Sequence, residues 1–479
     1  MTHKPAAQKS FSRRTFPLSH LAATGLSAFF QPRSVAVIGA SREPSKVGHG
    51  VLKNLLSGGV FYAASAKPFG GKVYAVNPQA KKILGARCYP SVLDIPGLVD
   101  LAVVSVPAAA VLDVVRQCVQ KGVKACILIS AGFSESGQSD LQQSIVAAAK
   151  KGGMRILGPN TLGLIRPSSR LNASFGLTTP RPGKIAFLSQ SGALADSVID
   201  WALEEDYAFS AIVSVGNMAD VGFPELIRHF VDDVQTRVIS VYAEGVQDGP
   251  GFVKALQYAA KKNKPVVVLH GGKSKAGKLA ASTHTASLAS SSAVFEGVLR
   301  QTGARSADTL SDLFSISSAL SACSPCRNAW AVVTNAGGVG VLLSDYADRF
   351  GVTLVPLSGS VLKKLDRTKK LPSTWSHRNP LDLIGDATTE RYGAALDVLL
   401  KEPSVSGVIV AQTLQTMTEP MANARLLVGA KKKFPKKPVL AVFLGGKYSR
   451  ESMQYLNRHG VPQFNEPLQA VKAAAALSF

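Results

Sequence analysis

A single histidine, His284, lies in the stretch AASTHTASLAS (280–290), where nearly every other side chain is small or hydroxylated. The segment before it, KPVVVLHGGKSKAGKLA, passes from an apolar strand pattern into glycines and three lysines, Lys273, Lys275 and Lys278. Such a loop buries little surface and offers positive charge to an anion. A neutral imidazole can attack phosphorus through one ring nitrogen while the other is held as a donor. The pattern indicates a nucleophilic histidine in phosphoryl transfer, with a polar loop histidine as the alternative.

A phosphorylated histidine needs a carboxylate to hold its ring and positive ends to face the phosphoryl group. Glu244 lies at the end of the strand pattern VISVYAEG and is the candidate carboxylate. Two strand-to-helix turns, SQSGA (189–193) and TNAGGVG (334–340), could each present a helix N-terminus. Such an N-terminus stabilises an anion by about 0.3 to 1 kcal/mol, and by more where it is partly buried. These companions favour the nucleophilic interpretation of His284.

The segment GGKSKAGK (271–278) nearly matches the phosphate-binding P-loop. The residue after Lys278 is Leu279, which has no hydroxyl for Mg²⁺, and small residues replace the amphipathic helix that a P-loop needs. The pattern favours a loop that tolerates phosphate over a complete nucleotide site.

A second glycine turn, VIGASREPSKVG (37–48), lies between a strand pattern and a helix pattern. The dinucleotide fingerprint G-x-G-x-x-G is absent, and the next strand ends in Asn77-Pro78 without an acid for a ribose hydroxyl. This argues against NAD and leaves open another phosphorylated nucleotide such as coenzyme A, which Lys46 could contact. A tight turn with no ligand is the alternative.

Three blocks of alternating strands and helices must position these groups. The strand patterns of the first block are SVAVIGAS, KVYAVNP, LAVVSVP, ACILISAGF and MRILGPN, and those of the second are KIAFLSQSG, FSAIVSVGN, RVISVYAEG and KPVVVLHGG. The loop IRPSSRLNASFGLTTPRPG separates these two blocks, and the third block has NAWAVVTNAGGVG, VTLVPLS, GVIVAQTL and PVLAVFLGG. Alternating strands and helices predict parallel, doubly wound sheets. We therefore expect an α/β fold with a basic tail (1–25) and three domains (26–165, 166–324 and 325–479).

Charge and composition restrict the partners. The 479 residues carry 54 Lys and Arg against 31 Asp and Glu, a net charge of +23. The basic residues are spread along the chain without interleaved aromatic residues, so we expect phosphorylated small molecules as ligands and no nucleic acid. The sequence contains no run of 18 or more apolar residues, so we expect no membrane span. We expect a cytoplasmic location. An organelle is the alternative, because the first 31 residues contain basic residues and no acidic residue, as in a transit peptide.

The spacing Cys323-Ser-Pro-Cys326 would supply half of a zinc site. A structural zinc ion needs four ligands, and the remaining cysteines are isolated. We expect a turn between domains at this position and no metal site.

The chain resembles the α subunits of ADP-forming (NDP-forming) acetyl-CoA synthetases, relatives of succinyl-CoA synthetase, from about residue 26 onward. The matching stretches are, in order, FFQPRSVAVIGAS, AGFSE, ILGPNTLGL, LSQSGALA, SVGNMADV, YAEG, STHTASLA, VVTNAGGVG and NPLDLIGDAT. The resemblance implies a Rossmann-like CoA-binding domain followed by two flavodoxin-like domains of the succinyl-CoA synthetase type.

The resemblance also assigns roles to individual residues. It implies that His284 is phosphorylated and that Glu244 is its partner. The residues that it implies for the phosphate are Ser191, Gly192, Asn335, Gly337 and Gly338. Those for CoA are Gly39, Ser41, Lys46, Val106 and Pro107, and those for the acyl group are Asn160 and Asn217.

The implied activity is the reversible conversion of acyl-CoA, phosphate and ADP to a carboxylic acid, CoA and ATP, with acetate as the default acid. ADP or ATP and Mg²⁺ are expected on a separate ATP-grasp β subunit in a hetero-oligomer, because no complete P-loop is present. The alternatives are a CoA-binding sensor or scaffold subunit without catalytic activity, and a part of a protein acetyltransferase system.

This sequence departs from the family pattern at three places. Thr283-His284-Thr285-Ala286 stands where the family reads S-H-T-G, Val339 replaces a proline and His270 replaces a lysine. None of these changes removes the nucleophile or its carboxylate.

Overall fold

The computed structural model describes residues 25–60, 66–279 and 291–479, whose strands form three sheets. The predicted basic tail, apart from Gly25, and His284 lie outside the described residues. None of the described helices is both long and apolar enough to cross a membrane.

The first sheet has seven strands in the order β3-β4-β2-β1-β5-β6-β7. Its strands are β1 (Ser34–Ile38), β2 (Lys72–Val76), β3 (Lys82–Ile83), β4 (Ala86–Tyr89), β5 (Leu101–Val104), β6 (Ala125–Leu128) and β7 (Arg155–Leu157). Its helices are α1 (Ser27–Phe30), α2 (Val47–Ser57), α3 (Ala108–Lys121) and α4 (Ser139–Lys151). All neighbours are parallel except β3 and β4. Setting aside the short β3, this is the Rossmann order, and its direction reverses between β1 and β5, where ligands bind at the carboxyl ends of strands.

The second sheet has the order β14-β13-β12-β10-β11-β8-β9. Its strands are β8 (Gly163–Arg166), β9 (Leu171–Ser174), β10 (Pro182–Ser189), β11 (Phe209–Ser214), β12 (Val238–Ala243), β13 (Val266–His270) and β14 (Arg305–Ala307). Its helices are α5 (Gly192–Glu205), α6 (Phe223–Asp232), α7 (Gly249–Lys261), α8 (Ser292–Thr302) and α9 (Leu310–Ala322). From β10 to β14 the strands are parallel and follow the flavodoxin order.

The third sheet is entirely parallel in the order β16-β15-β17-β18-β19, which is again the flavodoxin order. Its strands are β15 (Trp330–Thr334), β16 (Leu381–Asp382), β17 (Gly407–Gln412), β18 (Val439–Phe443) and β19 (Gln463–Phe464). Its helices are α10 (Gly337–Arg349), α11 (Gly359–Arg367), α12 (Thr389–Lys401), α13 (Pro420–Lys433), α14 (Arg450–Arg458) and α15 (Pro467–Leu477). The predicted α/β fold class is confirmed.

The strand patterns are continuous apolar runs because helices cover both faces of a parallel sheet. Every residue of β1, β5 and β15 is buried. The cores also cross between domains. Phe30 of the first domain packs on Phe230 of the second, with ring centroids 5.1 Å apart. These shared cores fix the relative positions of the sheet edges that carry the site.

Two local expectations were wrong. The stretch between the first two blocks is not a plain loop, because β8 pairs antiparallel with both β9 and β11 and extends the second sheet. The predicted boundary at residues 165 and 166 falls inside β8. The stretch VTLVPLS forms only an isolated bridge between Leu354 and Trp330. The next groups of the ladder are taken by the Asn379 side chain, which accepts from the N–H of Val332 and donates to the carbonyl of Val355.

Candidate active site

The turn after β1 brings α2 unusually close to the edge of the first sheet. Gly39 has φ +92°, and a Cβ there would lie 2.7 Å from the carbonyl oxygen of Ser105. A Cβ at Gly48 would lie 2.0 Å from the carbonyl oxygen of Gly39. Lys46 is exposed and stands at the N-cap of α2. The turn thus offers a helix N-terminus and a lysine to a phosphate.

Other residues around this turn have structural partners. The Asn77 amide donates to the carbonyl oxygen of Ala40 at 2.8 Å, which ties β2 to the turn. The Ser41 hydroxyl accepts from the N–H of Glu43 at 3.1 Å, and the Ser41 carbonyl contacts Nδ1 of His49 at 3.0 Å. The side chain of Ser41 therefore orders the turn on which Lys46 lies.

Hydrogen bonds connect the predicted CoA residues to the predicted acyl residues. The hydroxyl of Ser130, after β6, donates to the carbonyl oxygen of Val106 at 2.6 Å, next to Pro107 at the N-cap of α3. The Ser130 carbonyl accepts from the N–H of Asn160 at 2.9 Å. The Asn160 amide in turn donates to Oδ1 of Asn217 at 3.4 Å. The structure brings these two sets together at the carboxyl ends of β5, β6 and β7.

A carboxylate that the sequence did not single out joins this network. Glu135, in a 3₁₀ turn after β6, accepts from Nδ2 of Asn217 at 2.5 Å. It also accepts from the N–H groups of Gly132 at 2.6 Å and Phe133 at 3.1 Å. Glu135 belongs to the stretch AGFSE, but only the fold places it against a residue 82 positions away.

The predicted phosphate turn of the second domain lies beside Glu244. Ser191 caps α5, accepting from the N–H of Leu194 at 3.3 Å, and Gly192 is the first residue of that helix. Glu244 follows β12, which lies next to β10 in parallel register, and is buried. The two turns therefore share one carboxyl edge of the second sheet.

Gln190 bridges these two turns, and sequence reasoning missed it. Its Oε1 accepts from the N–H of Glu244 at 2.7 Å and from that of Gly245 at 3.1 Å. Tyr242 donates to Oε1 of Glu244 at 3.3 Å. Burial and the charge of Glu244 raise the pKa of Tyr242 to about 12, so it remains a donor at neutral pH. The position of Gln190 inside LSQSGALA was the only sequence signal.

The described residues on either side of the segment that contains His284 are tied together. Lys273 forms ion pairs with Glu296 at 3.0 Å and Asp308 at 3.2 Å, and its carbonyl accepts from the hydroxyl of Ser292 at 3.0 Å. Burial alone would lower the pKa of Lys273, but these acids raise it above its ordinary value. This lysine is therefore occupied by protein carboxylates.

His270 packs beside the same flanking residues. It is the last residue of β13, is 4% exposed, and stacks on Phe295 with ring centroids 4.0 Å apart. Burial, followed by the charge of Lys273, lowers its pKa, so the ring is neutral at neutral pH. The histidine that replaces a lysine acts here as an aromatic packing residue.

The predicted phosphate turn of the third domain follows β15. Asn335 is buried, and its side chain is bound to Thr413: Nδ2 donates to the carbonyl at 3.0 Å and Oδ1 accepts from the N–H at 2.8 Å. Gly337 begins α10, and a Cβ there would lie 2.8 Å from Oδ2 of Asp382. Gly337 and Gly338 thus present backbone N–H groups, while Asn335 holds the turn in shape.

Metal ligands do not converge among the residues that the structure describes, where no group of three or more His, Cys, Asp or Glu side chains could hold an ion. Cys323 and Cys326 are both buried, and burial, followed by the neighbouring Cys323, raises the pKa of Cys326 to about 11. Cys326 donates its N–H to the carbonyl of Leu477 at 2.9 Å. The pair therefore packs at the start of the third domain.

Comparison with known families assigns each sheet a class. Residues 33–167 match the CoA binding domain, residues 182–320 the succinyl-CoA ligase like flavodoxin domain, and residues 330–477 the ligase-CoA domain. The fold and the order of these domains are those of a CoA ligase.

Relatives narrow the class. The α subunit of an ADP-forming acetate–CoA ligase from Pyrococcus furiosus is 38% identical, over 94% of this chain and 97% of its own length. An ADP-forming acetate–CoA ligase from Archaeoglobus fulgidus is also 38% identical, over 94% of this chain but 63% of its own length. A solved structure of a dinucleotide-forming acetyl-CoA synthetase from Ca. Korarchaeum cryptofilum, in complex with phosphate and ADP, matches with a TM-score of 0.88 and 36% identity, over 95% of this chain and 96% of that one.

The chain belongs to the family of ADP-forming acetate–CoA ligase α subunits. It is a subunit of an ADP-forming acyl-CoA ligase, as the resemblance of its motifs predicted.

Proposed function

We propose that this ligase subunit works through a phosphohistidine at His284. Phosphate attacks the thioester carbonyl, the C–S bond breaks and CoA leaves as the thiolate. The resulting acyl phosphate gives its phosphoryl group to the imidazole, and the carboxylic acid leaves as its anion. The N–P bond then breaks as an oxygen of the ADP β-phosphate takes the group, which forms ATP. Two successive phosphoryl transfers, first to His284 and then to ADP, replace one direct transfer from the acyl phosphate to a distant ADP.

One arrangement carries this proposal. Gln190 joins the Ser191 turn to Glu244 at one sheet edge, and β13, the next strand along, leads into the loop that contains His284. A carboxylate beside a helix N-terminus provides both groups that a phosphorylated imidazole needs. Glu244 would hold the ring in one tautomer, and the start of α5 would face the phosphoryl charge. In this proposal Gly337 and Gly338 provide the second helix start.

The first domain would bind CoA at the β1–α2 turn. Gly39 and Gly48 let α2 pack directly against the turn and Ser105, which brings the N-terminus of α2 to this edge, and Lys46 would pair with a phosphate. Val106 and Pro107 border the same edge, and the hydrogen-bonded path through Ser130 leads from there to Asn160 and Asn217. The acyl end of the thioester would therefore reach these two amides.

A separate ATP-grasp β subunit would bind ADP or ATP and Mg²⁺ in a hetero-oligomer. The relative from Pyrococcus furiosus is itself named as an α subunit, which supports a second chain. The longer relative from Archaeoglobus fulgidus has room for such a domain in the same polypeptide, because this chain spans 63% of it. Acetate is the proposed acid.

Phosphorylation can be tested with the purified subunits. Incubation with γ-labelled ATP, Mg²⁺ and the β subunit should put acid-labile, base-stable label on this chain. His284→Ala should lose the label entirely, whereas His459→Ala, an exposed histidine at the end of α14, should keep it. Label that persists in His284→Ala would refute the proposal. A CoA sensor without catalytic activity would bind CoA and take no label in either protein.

The role of Glu244 has its own test. Glu244→Gln keeps the shape of the side chain and an oxygen that accepts from Tyr242, but it removes the charge that supports the imidazole. Turnover should fall by roughly 10² to 10⁴, the range of general acid–base effects. Asp248→Asn, an exposed carboxylate at the N-cap of α7, is the control for loss of one charge nearby. An unchanged rate in Glu244→Gln would mean that another group holds the ring.

A further inference from the structure

The polar cluster around Asn217 joins the first domain to the second at the proposed acyl site. The amide nitrogen of Asn217 lies within hydrogen-bond distance of three acceptors of the first domain: Glu135 at 2.5 Å, Gln142 Oε1 at 3.1 Å and Ser134 Oγ at 3.2 Å. From the second domain, Gln247 donates to the Asn217 carbonyl at 3.1 Å. Glu135 is the one charged group in this cluster.

Glu135 is held as an anion. Burial alone would raise its pKa, but the hydrogen bond from Asn217 and the N–H groups of Gly132 and Phe133 outweigh it and keep the pKa below its ordinary value. The other side chains in contact with Asn217 are neutral: Ser134, Gln142, Asn160 and Gln247. No cation among the described residues forms an ion pair with Glu135 at 4 Å or less. Its negative charge therefore acts on whatever lies beside the two asparagines.

The orientation of Asn217 follows from this anion. Because Glu135 can only accept, the NH₂ group of Asn217 must point at it, and Oδ1 must point at the amide of Asn160. Asn160 has φ +57° and is exposed, and one hydrogen of its NH₂ group can still donate to a ligand. A carboxylate or a thioester carbonyl is a ligand that accepts such a bond.

We propose that Glu135 is a positioning and specificity residue for the carboxylic acid: its anion orients the Asn217–Asn160 amide pair toward one carboxylate and repels a second carboxylate in the same substrate. This inference rests on the proposed acyl site at Asn160 and Asn217. It goes beyond the family assignment, because it names the group that excludes dicarboxylic acids. Repulsion between like charges at a partly buried site is screened less than in bulk water.

Propionate and malonate form a suitable pair of probes, since both have three carbons and differ by one carboxylate. Their dissociation constants are measured on the CoA-loaded chain, and their kcat/KM values on the complex with the β subunit. In Glu135→Gln the preference for propionate over malonate should fall at least tenfold, which is about 1.4 kcal/mol. Propionate itself should change less than malonate, because the glutamine oxygen can still accept from Asn217 and propionate brings one carboxylate to the lost charge where malonate brings two.

Asp113→Asn is the matched control, because it removes one negative charge from an exposed position on α3 of the same domain. A preference that is unchanged in Glu135→Gln, or that falls equally in Asp113→Asn, would overturn the inference. The binding measurement needs no phosphohistidine. Loss of turnover in the His284 experiment therefore leaves this test intact, and a failure here leaves that proposal intact.

Discussion

Acidification should destabilise this protein through one buried histidine, His229. It lies on α6, is 3% exposed, and stacks on Phe30 with ring centroids 4.5 Å apart and planes at 21°. Burial lowers its pKa from 6.5 to about 4; the charge of Arg166 adds to this effect, and Asp233 and Asp232 oppose it. The native state therefore keeps a neutral ring where the unfolded chain takes up a proton.

The sign and the size of the pH effect on the free energy of unfolding follow from the linkage between proton binding and unfolding. The stabilisation is fully present above pH 6.5 and is lost as the pH falls toward 4, because the unfolded state binds the proton first. The gap between 6.5 and about 4, at about 1.4 kcal/mol for each pH unit, predicts a total loss of about 3 kcal/mol. Roughly 2 kcal/mol of it should be gone by pH 5.

Two measurements check this prediction. The ¹³C-labelled imidazole signal that disappears in His229→Phe should titrate near pH 4 in the native protein. Urea unfolding at pH 7.5 and pH 5 should show wild type losing about 2 kcal/mol more than His229→Phe, which keeps an aromatic ring on Phe30 and cannot be protonated. A signal that titrates near 6.5, or equal losses in both proteins, would refute the reasoning.

Two further outcomes are expected. Gly48→Ala should weaken CoA binding at least tenfold by calorimetry, because its Cβ would lie 2.0 Å from a backbone carbonyl oxygen. Gly50→Ala is the control and should bind CoA normally, because the nearest atom to its Cβ lies 3.7 Å away. Equal affinities of the two variants would count against the tight turn as a CoA site. Arg166→Met should destabilise the fold by about 3 to 5 kcal/mol in urea unfolding, because it leaves the buried Asp233 without the arginine that lies 2.8 Å from it. Arg116→Met removes one member of an exposed ion pair and should change the free energy of unfolding by under about 0.5 kcal/mol. Similar losses in both arginine variants would contradict this.

The three sheets and most of their strands could be predicted from the amino-acid sequence alone. Runs such as VAVI of β1 and VIVA of β17 are apolar throughout, so their pattern predicts a fully buried parallel strand without help from distant residues. The motifs also sufficed to identify the family. The two strand-to-helix turns could be placed because Gly39 follows β1 directly and Gly337 comes three residues after the end of β15.

The edge strands of the sheets and the junction between the first two domains could not be predicted locally, because they depend on tertiary packing. Nothing local distinguishes β8 from a loop, since its strand character depends on pairing with β9 and β11. The stretch VTLVPLS has the composition of a strand, but the side chain of Asn379 takes the next groups of its ladder. His284 stays a prediction, because it lies outside the described residues.

The contacts that shape the site have the same origin. Gln190 reaches the backbone of Glu244 across 54 positions, and Glu135 reaches Asn217 across 82. A polar side chain in a turn acquires a role from what packs against it, and that partner is set by the order of strands in the sheet. Sequence spacing carries the period of an element and the chemistry of its side chains, but the pairing of two turns from different strands or domains exists only once the sheets have formed and packed.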